Sequence, residues 1–319
     1  MKYTRILGTG SHVPEKTLTN SDLEKIVDTS DEWIFERTGI RERPIASPAE
    51  NSLTMAEVAS NRAIDAANID RNKIGLIVVG TTTPPSIFPN TANLLQSRLG
   101  ISNTECPTFD VSAACSGFIY AFSIADKYIR SGEIEYALVV GVDSLSKFVD
   151  WSDRSTCVLF SDAAGAVVVG SSDEPGVFST HLHSNGSYGD LLYVAGDLYS
   201  NSSAHHIKMR GNELFKIAVK KLEAVVDEAL KHNNLSKEDI DWLVPHQANA
   251  RIINATAKKL HLPEERVVLT IEKQGNNSAA SVPLALDLAI CDGRIKRGNL
   301  LLLEAFGAGL TWGAALVRY

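Results

Sequence analysis

Short apolar, β-rich runs recur along the chain, at residues 74–80, 136–141, 157–160, 166–170, 242–244, 266–269, 300–303 and 314–317, with longer stretches of helical periodicity between them. Alternation of this kind predicts an α/β protein. Runs apolar at every position, such as Leu76-Ile77-Val78-Val79 and Leu300-Leu301-Leu302-Leu303, fit strands covered by helices on both faces. The sheets are therefore expected as interior layers. No run approaches the roughly 20 apolar residues of a membrane-spanning helix, so no span is expected.

The pattern repeats. A helical stretch at 56–67, a polar turn at Asn72-Lys73 and the buried run from Ile74 have a counterpart in the helical stretch 215–230, Lys237-Glu238-Asp239 and the run from Ile240, a shift of 166 residues. A second match sets Gly132 on Gly293, a shift of 161, with a helix before each glycine and a strand after it. One α/β unit used twice is expected, as an N-terminal half over 1–172 and a C-terminal half over 173–319, divided at the turn-forming Ser171-Ser172-Asp173-Glu174-Pro175-Gly176. The shift of 161 carries Cys115 onto Asn276, so a thiol and an amide are expected to face one cleft between the halves.

Length and composition narrow the class. At roughly 150 residues per domain, 319 residues suit two domains or one double one, and 44% hydrophobic with 22% charged residues is ordinary globular usage. Lys and Arg total 31 against 38 Asp and Glu, a net charge of −7 and the wrong sign for a chain that grips nucleic acid through phosphates. The opening Met1-Lys2-Tyr3-Thr4-Arg5-Ile6 has no apolar signal core, which makes the cytoplasm the expected location. Cys106, Cys115, Cys157 and Cys291 lie far apart with no C-x-x-C pair, as expected of free thiols, and His205-His206 lacks a third spaced ligand for a metal.

Four stretches offer chemistry. Cys115 ends a strand-like approach through Asp110-Val111-Ser112-Ala113-Ala114 and opens a helix at Ser116-Gly117-Phe118, where N-terminal N–H groups would favour a thiolate. As an isolated residue it reads equally as a small buried hydrophobe. His246 follows the 242–244 strand in Pro245-His246-Gln247-Ala248-Asn249, at a strand end where open α/β sheets place their sites, and is either a base or donor or a structural residue. Asn276, in Gln274-Gly275-Asn276-Asn277-Ser278, reads alone as a turn or cap residue. The small residues of 304–313 suit either a backbone oxyanion donor or a tight turn.

Together these stretches, with 28–34, 37–43 and 211–215, resemble the thiolase-fold condensing enzymes, and specifically β-ketoacyl-(acyl carrier protein) synthase III, which initiates bacterial fatty acid synthesis. The resemblance runs over essentially the whole chain. It implies two similar halves in a layered α-β-α-β-α sandwich, with Cys115, His246 and Asn276 as catalytic residues and the backbone N–H groups of Cys115 and Ala308 as the oxyanion hole. It further implies acyl-CoA as substrate with no tightly bound cofactor and no metal, held by Thr29, Trp33, Arg37, Arg154, Gly211 and Asn212. Acyl carrier protein would dock at Gln247, Ala248, Asn249, Ala250 and Arg251, helped by Lys216, Lys258 and Lys259. Phe88 would reach across a homodimer into the partner's acyl pocket.

The implied reaction acylates Cys115, decarboxylates a malonyl group carried on acyl carrier protein, and joins the two, with His246 and Asn276 donating to the enolate oxygen. Asn276 in place of a second histidine supports the initiating branch. The absence of cysteine from 306–313 disfavours a thiolase, and Cys291 reads as structural. Ala308 stands where the family commonly has glycine. Open alternatives are priming of a secondary-metabolite or polyketide pathway, a Cys-His-Asn thioester hydrolase, and a non-catalytic acyl-CoA sensor.

Overall fold

The computed structural model describes residues 2–194 and 205–319. Strands β1 (Tyr3–His12), β2 (Ile74–Gly80), β3 (Thr108–Val111), β4 (Tyr136–Ser144) and β5 (Asp162–Ser172) form one sheet in the order β1-β5-β4-β2-β3. Strands β6 (Val177–Ser184), β7 (Trp242–Pro245), β8 (Leu300–Gly307) and β9 (Thr311–Arg318) form a second, in the order β6-β9-β8-β7. The two orders correspond, and so do the directions: antiparallel at β1/β5 and β6/β9, antiparallel at β5/β4 and β9/β8, parallel at β4/β2 and β8/β7.

Helices α1 (Ser52–Ala67), α2 (Gly117–Ser131), α3 (Gly211–His232), α4 (Ala250–Lys259) and α5 (Ser281–Cys291) complete the layers. Between the sheets, Phe118, Ile119 and Phe122 of α2 and Val282 and Leu286 of α5 pack on Leu76, Val78 and Val139 of one sheet and on Val244, Leu301 and Leu303 of the other. Alternate residues face outward. There Ile77, Val79 and Leu138 meet Met55, Ala59 and Ile64 of α1, while Leu243, Leu300 and Leu302 meet Ala218, Leu222 and Val225 of α3 and Ile253 of α4. At roughly 1.5–3 kcal/mol for each fully buried aliphatic or Phe side chain, this two-sided burial explains the unbroken apolar runs. The expected α-β-α-β-α sandwich is the observed architecture.

Two expected strands are absent. At 157–160 the chain instead makes a helical turn, Arg154–Cys157, capped by Asp153, whose side chain accepts from the Ser155 N–H at 2.9 Å; Phe160 bridges only Asn276. At 266–269 a turn at Glu264–Arg266 and the short helix Ile271–Gln274 leave room for a single parallel bridge, Val267 to Leu243. Conversely, β1 escaped the apolar pattern because polar residues interrupt it. Two of these are internal, since Thr9 and Ser11 donate to the buried Asp287 carboxylate of α5 at 2.7 and 2.6 Å.

The repeat also needs one correction. Both central helices open with a 3₁₀ turn, Ala114–Ser116 and Ser278–Ala280, whose first residues carry positive φ, 46° at Ala114 and 51° at Ser278. Their openings therefore correspond at a shift of 164, which sets Cys115 on Ala279 and not on Asn276. The shift of 161 holds only at the far ends, where Gly132 and Gly293 both take left-handed φ, because α2 has 15 residues and α5 has 11. Asn276 reaches the cleft from just before its turn.

Glycines let the helix openings sit directly on the strands. A Cβ on Gly141 of β4 would lie 2.1 Å from the Ala279 carbonyl oxygen, and one on Gly80 of β2 would lie 2.5 Å from the Gly117 carbonyl carbon. Gly141→Ala should lower stability by about 3 kcal/mol, the upper end of overpacking costs, read by denaturant unfolding. An unchanged midpoint would show that the α5 opening is free to retreat.

Candidate active site

Cys115 sits in the turn between β3 and α2, 6% exposed. The β8–β9 hairpin clamps that turn: Thr311 Oγ1 donates to the Ala113 carbonyl at 2.8 Å, and Ser116 Oγ donates to the Thr311 carbonyl at 3.0 Å. Contact is closest at Gly307, where a Cβ would stand 2.7 Å from the Cys115 nitrogen. The same hairpin places Ala308 with Cys115 on the wall of an apolar pocket that includes Thr82, Leu145, Phe160 and Ile207.

His246 follows β7, its backbone N–H donating to the Glu304 carbonyl at 2.8 Å. Its ring Nδ1 lies 2.6 Å from Ser281 Oγ, and that hydroxyl gives its one hydrogen to the Ser278 carbonyl at 2.8 Å. Nδ1 must then carry the imidazole hydrogen, so Nε2 presents a lone pair. Nε2 is buried and has no hydrogen-bond partner. Asn276 is held through its backbone, N–H to the Leu159 carbonyl and carbonyl from the Ser161 N–H, both 2.9 Å. Its Oδ1 accepts from the Ser278 N–H at 3.0 Å, leaving the amide Nδ2 uncommitted. Cys115, His246 and Asn276 line one cavity, together with Phe160, Met209, Phe215 and Gly307.

Desolvation governs the charges here. Burial pushes the Cys115 thiol up to about 12, the buried Asp143 adding to the rise and Ser278 opposing it, and burial brings His246 down to about 3. The resting pair is thus a neutral thiol and a neutral imidazole. Burial thus opposes the thiolate expected at the helix N-terminus, because desolvation penalises the charged form. Burial likewise raises Asp143, despite bonds from the Thr82 N–H at 2.8 Å and three threonine hydroxyls. Glu304 is also buried in the cavity wall, and burial pushes its carboxyl up to about 8.

An open mouth adjoins the cavity and shares Leu159, Met209, Gly211, Phe215 and Asn249 with it. Trp33, Arg37, Arg154, Asn212, Lys216 and Arg251 also line it, with no carboxylate among the lining residues. Trp33, on the helix Asp31–Thr38, has the guanidinium carbons of Arg37 and Arg154 each 4.6 Å from its ring centroid, and Arg154 also donates to the Asp28 carbonyl at 2.8 Å. Asn249 caps α4, accepting from the Arg251 N–H at 2.8 Å and donating to the Arg37 carbonyl at 3.0 Å. Ala248 lines the cavity, and Ala250 packs on Gly39.

Other expected residues fall elsewhere. Gln247 is 1% exposed and spends its amide on the Pro245 and Val268 carbonyls and the Thr270 and Ile271 N–H groups. It braces the loop from inside and offers no docking surface. Thr29 lies beside the mouth but not in its lining. Lys259 pairs with Glu223 at 3.5 Å, and Lys258 is exposed. Phe88 is 84% exposed and absent from its own chain's pocket lining. Sequence reasoning passed over Ser281, Asp143 and the Glu304 side chain, of which only Glu304, a lone carboxylate in an apolar run, carried a visible signal; Gly307 lies in the 304–313 stretch whose small residues were expected to suit a backbone donor or a tight turn. Among the described residues no group of three or more His, Cys, Asp or Glu could hold a metal ion, and no helix is long and apolar enough to cross a membrane.

A duplicated α/β sandwich whose first half contributes a thiol, and whose second half contributes an imidazole and a carboxamide to the same cavity, defines the thiolase-fold class of acyl-condensing enzymes. The family profile described as 3-oxoacyl-[acyl-carrier-protein (ACP)] synthase III matches residues 109–186, and that of its C-terminal domain matches 230–319. The chain is 57% identical to β-ketoacyl-[acyl-carrier-protein] synthase III of Alkalilimnicola ehrlichii, covering 100% of both chains. Solved structures similar to it include 3-oxoacyl-[acyl-carrier-protein] synthase III from Aquifex aeolicus VF5, at TM-score 0.94 and 49% identity over 99% of this chain and 100% of that one. Another is the priming β-ketosynthase of the R1128 polyketide pathway, at TM-score 0.95 and 36% identity over 99% and 96%. The chain belongs to the β-ketoacyl-[acyl-carrier-protein] synthase III family and is an acyl-condensing transferase.

Because Gly307 touches the nucleophile's own backbone, Gly307→Ala should slow turnover by roughly 10²-fold, the cost of displacing one oxyanion donor. Steady-state kinetics on folded variant would check this, and unchanged turnover would separate the hairpin from the chemistry.

Proposed function

We propose that this chain condenses a short acyl-CoA with malonyl-acyl carrier protein, Cys115 carrying the acyl group, to start fatty acid biosynthesis. The observation that carries the reading is the meeting of Cys115, His246 and Asn276 in one cavity that adjoins a mouth lined by Arg37, Arg154, Lys216 and Arg251, with the Asp28 carboxylate 4.0 Å from Arg154. Four cations gathered on a chain of net charge −7 suit the phosphates of CoA and the surface of an acidic carrier protein. The Trp33 face, now covered by two guanidinium groups, is where adenine would stack.

Acylation begins with the Cys115 proton passing to the lone pair of His246 Nε2. The sulfur attacks the thioester carbonyl, and the backbone N–H groups of Cys115 and Ala308 stabilise the oxyanion until the C–S bond breaks. CoA leaves as the thiol, its sulfur taking the proton from His246 Nε2. In the second half the malonyl C–C bond breaks and CO₂ departs, its electron pair becoming an enolate whose oxygen receives Asn276 Nδ2–H. His246 joins as second donor when Ser281 turns its hydroxyl hydrogen onto Nδ1 and Nε2 takes the imidazole hydrogen. The enolate carbon then attacks the acyl carbonyl and the C–S bond breaks, giving the β-ketoacyl product and the Cys115 thiolate, which regains its proton from solvent.

The division into halves at 172/173 belongs to this reading, supported by two sheets of corresponding order that meet there. So do a cytoplasmic location and a homodimer, the latter supported by the exposure of Phe88 and Ile87, 84% and 81%. Docking of the carrier protein is assigned to Arg251, Lys216 and Lys258 around Asn249. The likeness to a polyketide priming synthase favours a second use, the same condensation feeding a secondary pathway.

Mass spectrometry after incubation with acetyl-CoA should find an acetyl adduct on Cys115, and adding malonyl-acyl carrier protein should yield a β-ketoacyl carrier protein. Absence of the adduct across acetyl-, propionyl- and branched acyl-CoAs would falsify the reading, and free acid without condensed product would indicate a hydrolase. Arg37→Ala and Arg154→Ala should each raise KM for acyl-CoA roughly tenfold, the worth of one charge-assisted hydrogen bond, with kcat little changed. A fall in kcat at constant KM would move CoA away from this mouth.

A further inference from the structure

Glu304 stands where the strand pattern calls for an apolar residue. On β8, Leu300, Leu302 and Phe306 share its parity and all three belong to the outer core beneath α3. It is 1% exposed, and neither carboxyl oxygen has a hydrogen-bond partner. A carboxylate left so would cost several kcal/mol, whereas a neutral carboxylic acid offers one O–H donor in search of an acceptor. The cavity it lines contains such an acceptor, since His246 Nε2 is buried, without a partner and, with the imidazole hydrogen held on Nδ1 by Ser281, unprotonated. The ladder fixes the two residues relative to each other, with Pro245 opposite Glu304 and the His246 N–H on the Glu304 carbonyl at 2.8 Å.

We propose that Glu304 is a positioning residue, a neutral acid whose O–H reaches His246 Nε2 through one cavity water and so orients the imidazole that receives the Cys115 proton. The inference rests on the reading of Cys115 and His246 given above. It has a second consequence, because thiolate, oxyanion and enolate are all negative and form in this one buried cavity. A neutral Glu304 leaves room for that charge, while an ionised one opposes it.

The groups facing Glu304 are few. Helix α3 turns Leu214, Phe215, Ala218 and Leu222 toward the cavity and α4 turns Ile252, all uncharged. The titratable groups sharing the lining are Cys115 and His246, with Asp143 behind Cys115, held by its threonines. Burial holds Cys115 near 12 and His246 near 3, far on either side of the Glu304 carboxyl at about 8. Glu304 is therefore neutral below that pH and charged above it, and activity should fall as pH rises through it.

The test compares wild type with Glu304→Gln, which keeps a neutral donor of the same shape, and Glu304→Leu, which suits the apolar surroundings and removes the donor. Condensation rates are measured from pH 6 to 10 with acylation of Cys115 followed by mass spectrometry. Glu304→Gln should keep activity within about threefold at pH 7 and lose the alkaline limb, while Glu304→Leu should lose roughly tenfold or more in kcat at every pH with KM little moved; each tenfold corresponds to about 1.4 kcal/mol. An alkaline limb unchanged in Glu304→Gln, or a Glu304→Leu variant as active as wild type, overturns the proposal while leaving the acyl-cysteine reading intact. Failure of the wild type itself to acylate overturns both. Infrared titration of the wild type supplies an independent check: a protonated-carboxyl band lost near pH 8 and missing from the folded Leu variant supports the assignment, and its absence from the wild type refutes it.

Discussion

Everything at this site depends on how closely backbone approaches backbone where the two central helices begin. Gly80 and Gly141 of the first sheet lie under the openings of α2 and α5, Gly165 lies against Pro283-Leu284, and Gly307 of the second sheet lies against Cys115 itself. A side chain at any of them would occupy space already filled by main chain. The helices can therefore start directly above the strand ends, which brings a thiol from one half and an imidazole and an amide from the other into a single cavity. Two independent domains joined by a flexible linker would hold the same residues without holding their separation.

That tight packing also buries Cys115, His246 and Glu304, and burial sets the chemistry. Cys115, His246 and Glu304 all rest in uncharged forms because burial penalises whichever form carries charge. Asp143 is supported differently, with backbone and hydroxyl donors converging on it below the nucleophile turn. Charge is concentrated at the mouth, where guanidinium and ammonium groups keep access to water. The site thus keeps its cations at an open mouth and its neutral titratable groups in a buried chamber.

The fold was largely legible in the sequence because two-sided burial writes unbroken apolar runs, and most of those runs became strands. The failures have physical causes. Residues 157–160 are apolar but follow a helix-capping aspartate, and 266–269 are squeezed between two helical turns. β1 hides its membership of the core behind threonine and serine side chains that bond to Asp287. Periodicity found the duplication but set the phase of the central helices from their C-terminal glycines, and α5 is shorter than α2, so the openings were misaligned by three residues.

The sequence by itself determined the residue types of the site, their order, and the layered architecture, because turn glycines, small residues around a cysteine and strand-end positions are local properties of the chain. Only tertiary structure decided the protonation of the groups and the surroundings of each. The hydrogen on His246 Nδ1 follows from a serine 35 residues away, and the buried state of Gln247 from carbonyl and N–H groups up to 24 residues along. Hydrogen-bond partners and desolvation come from groups distant in the chain, and no local pattern encodes them.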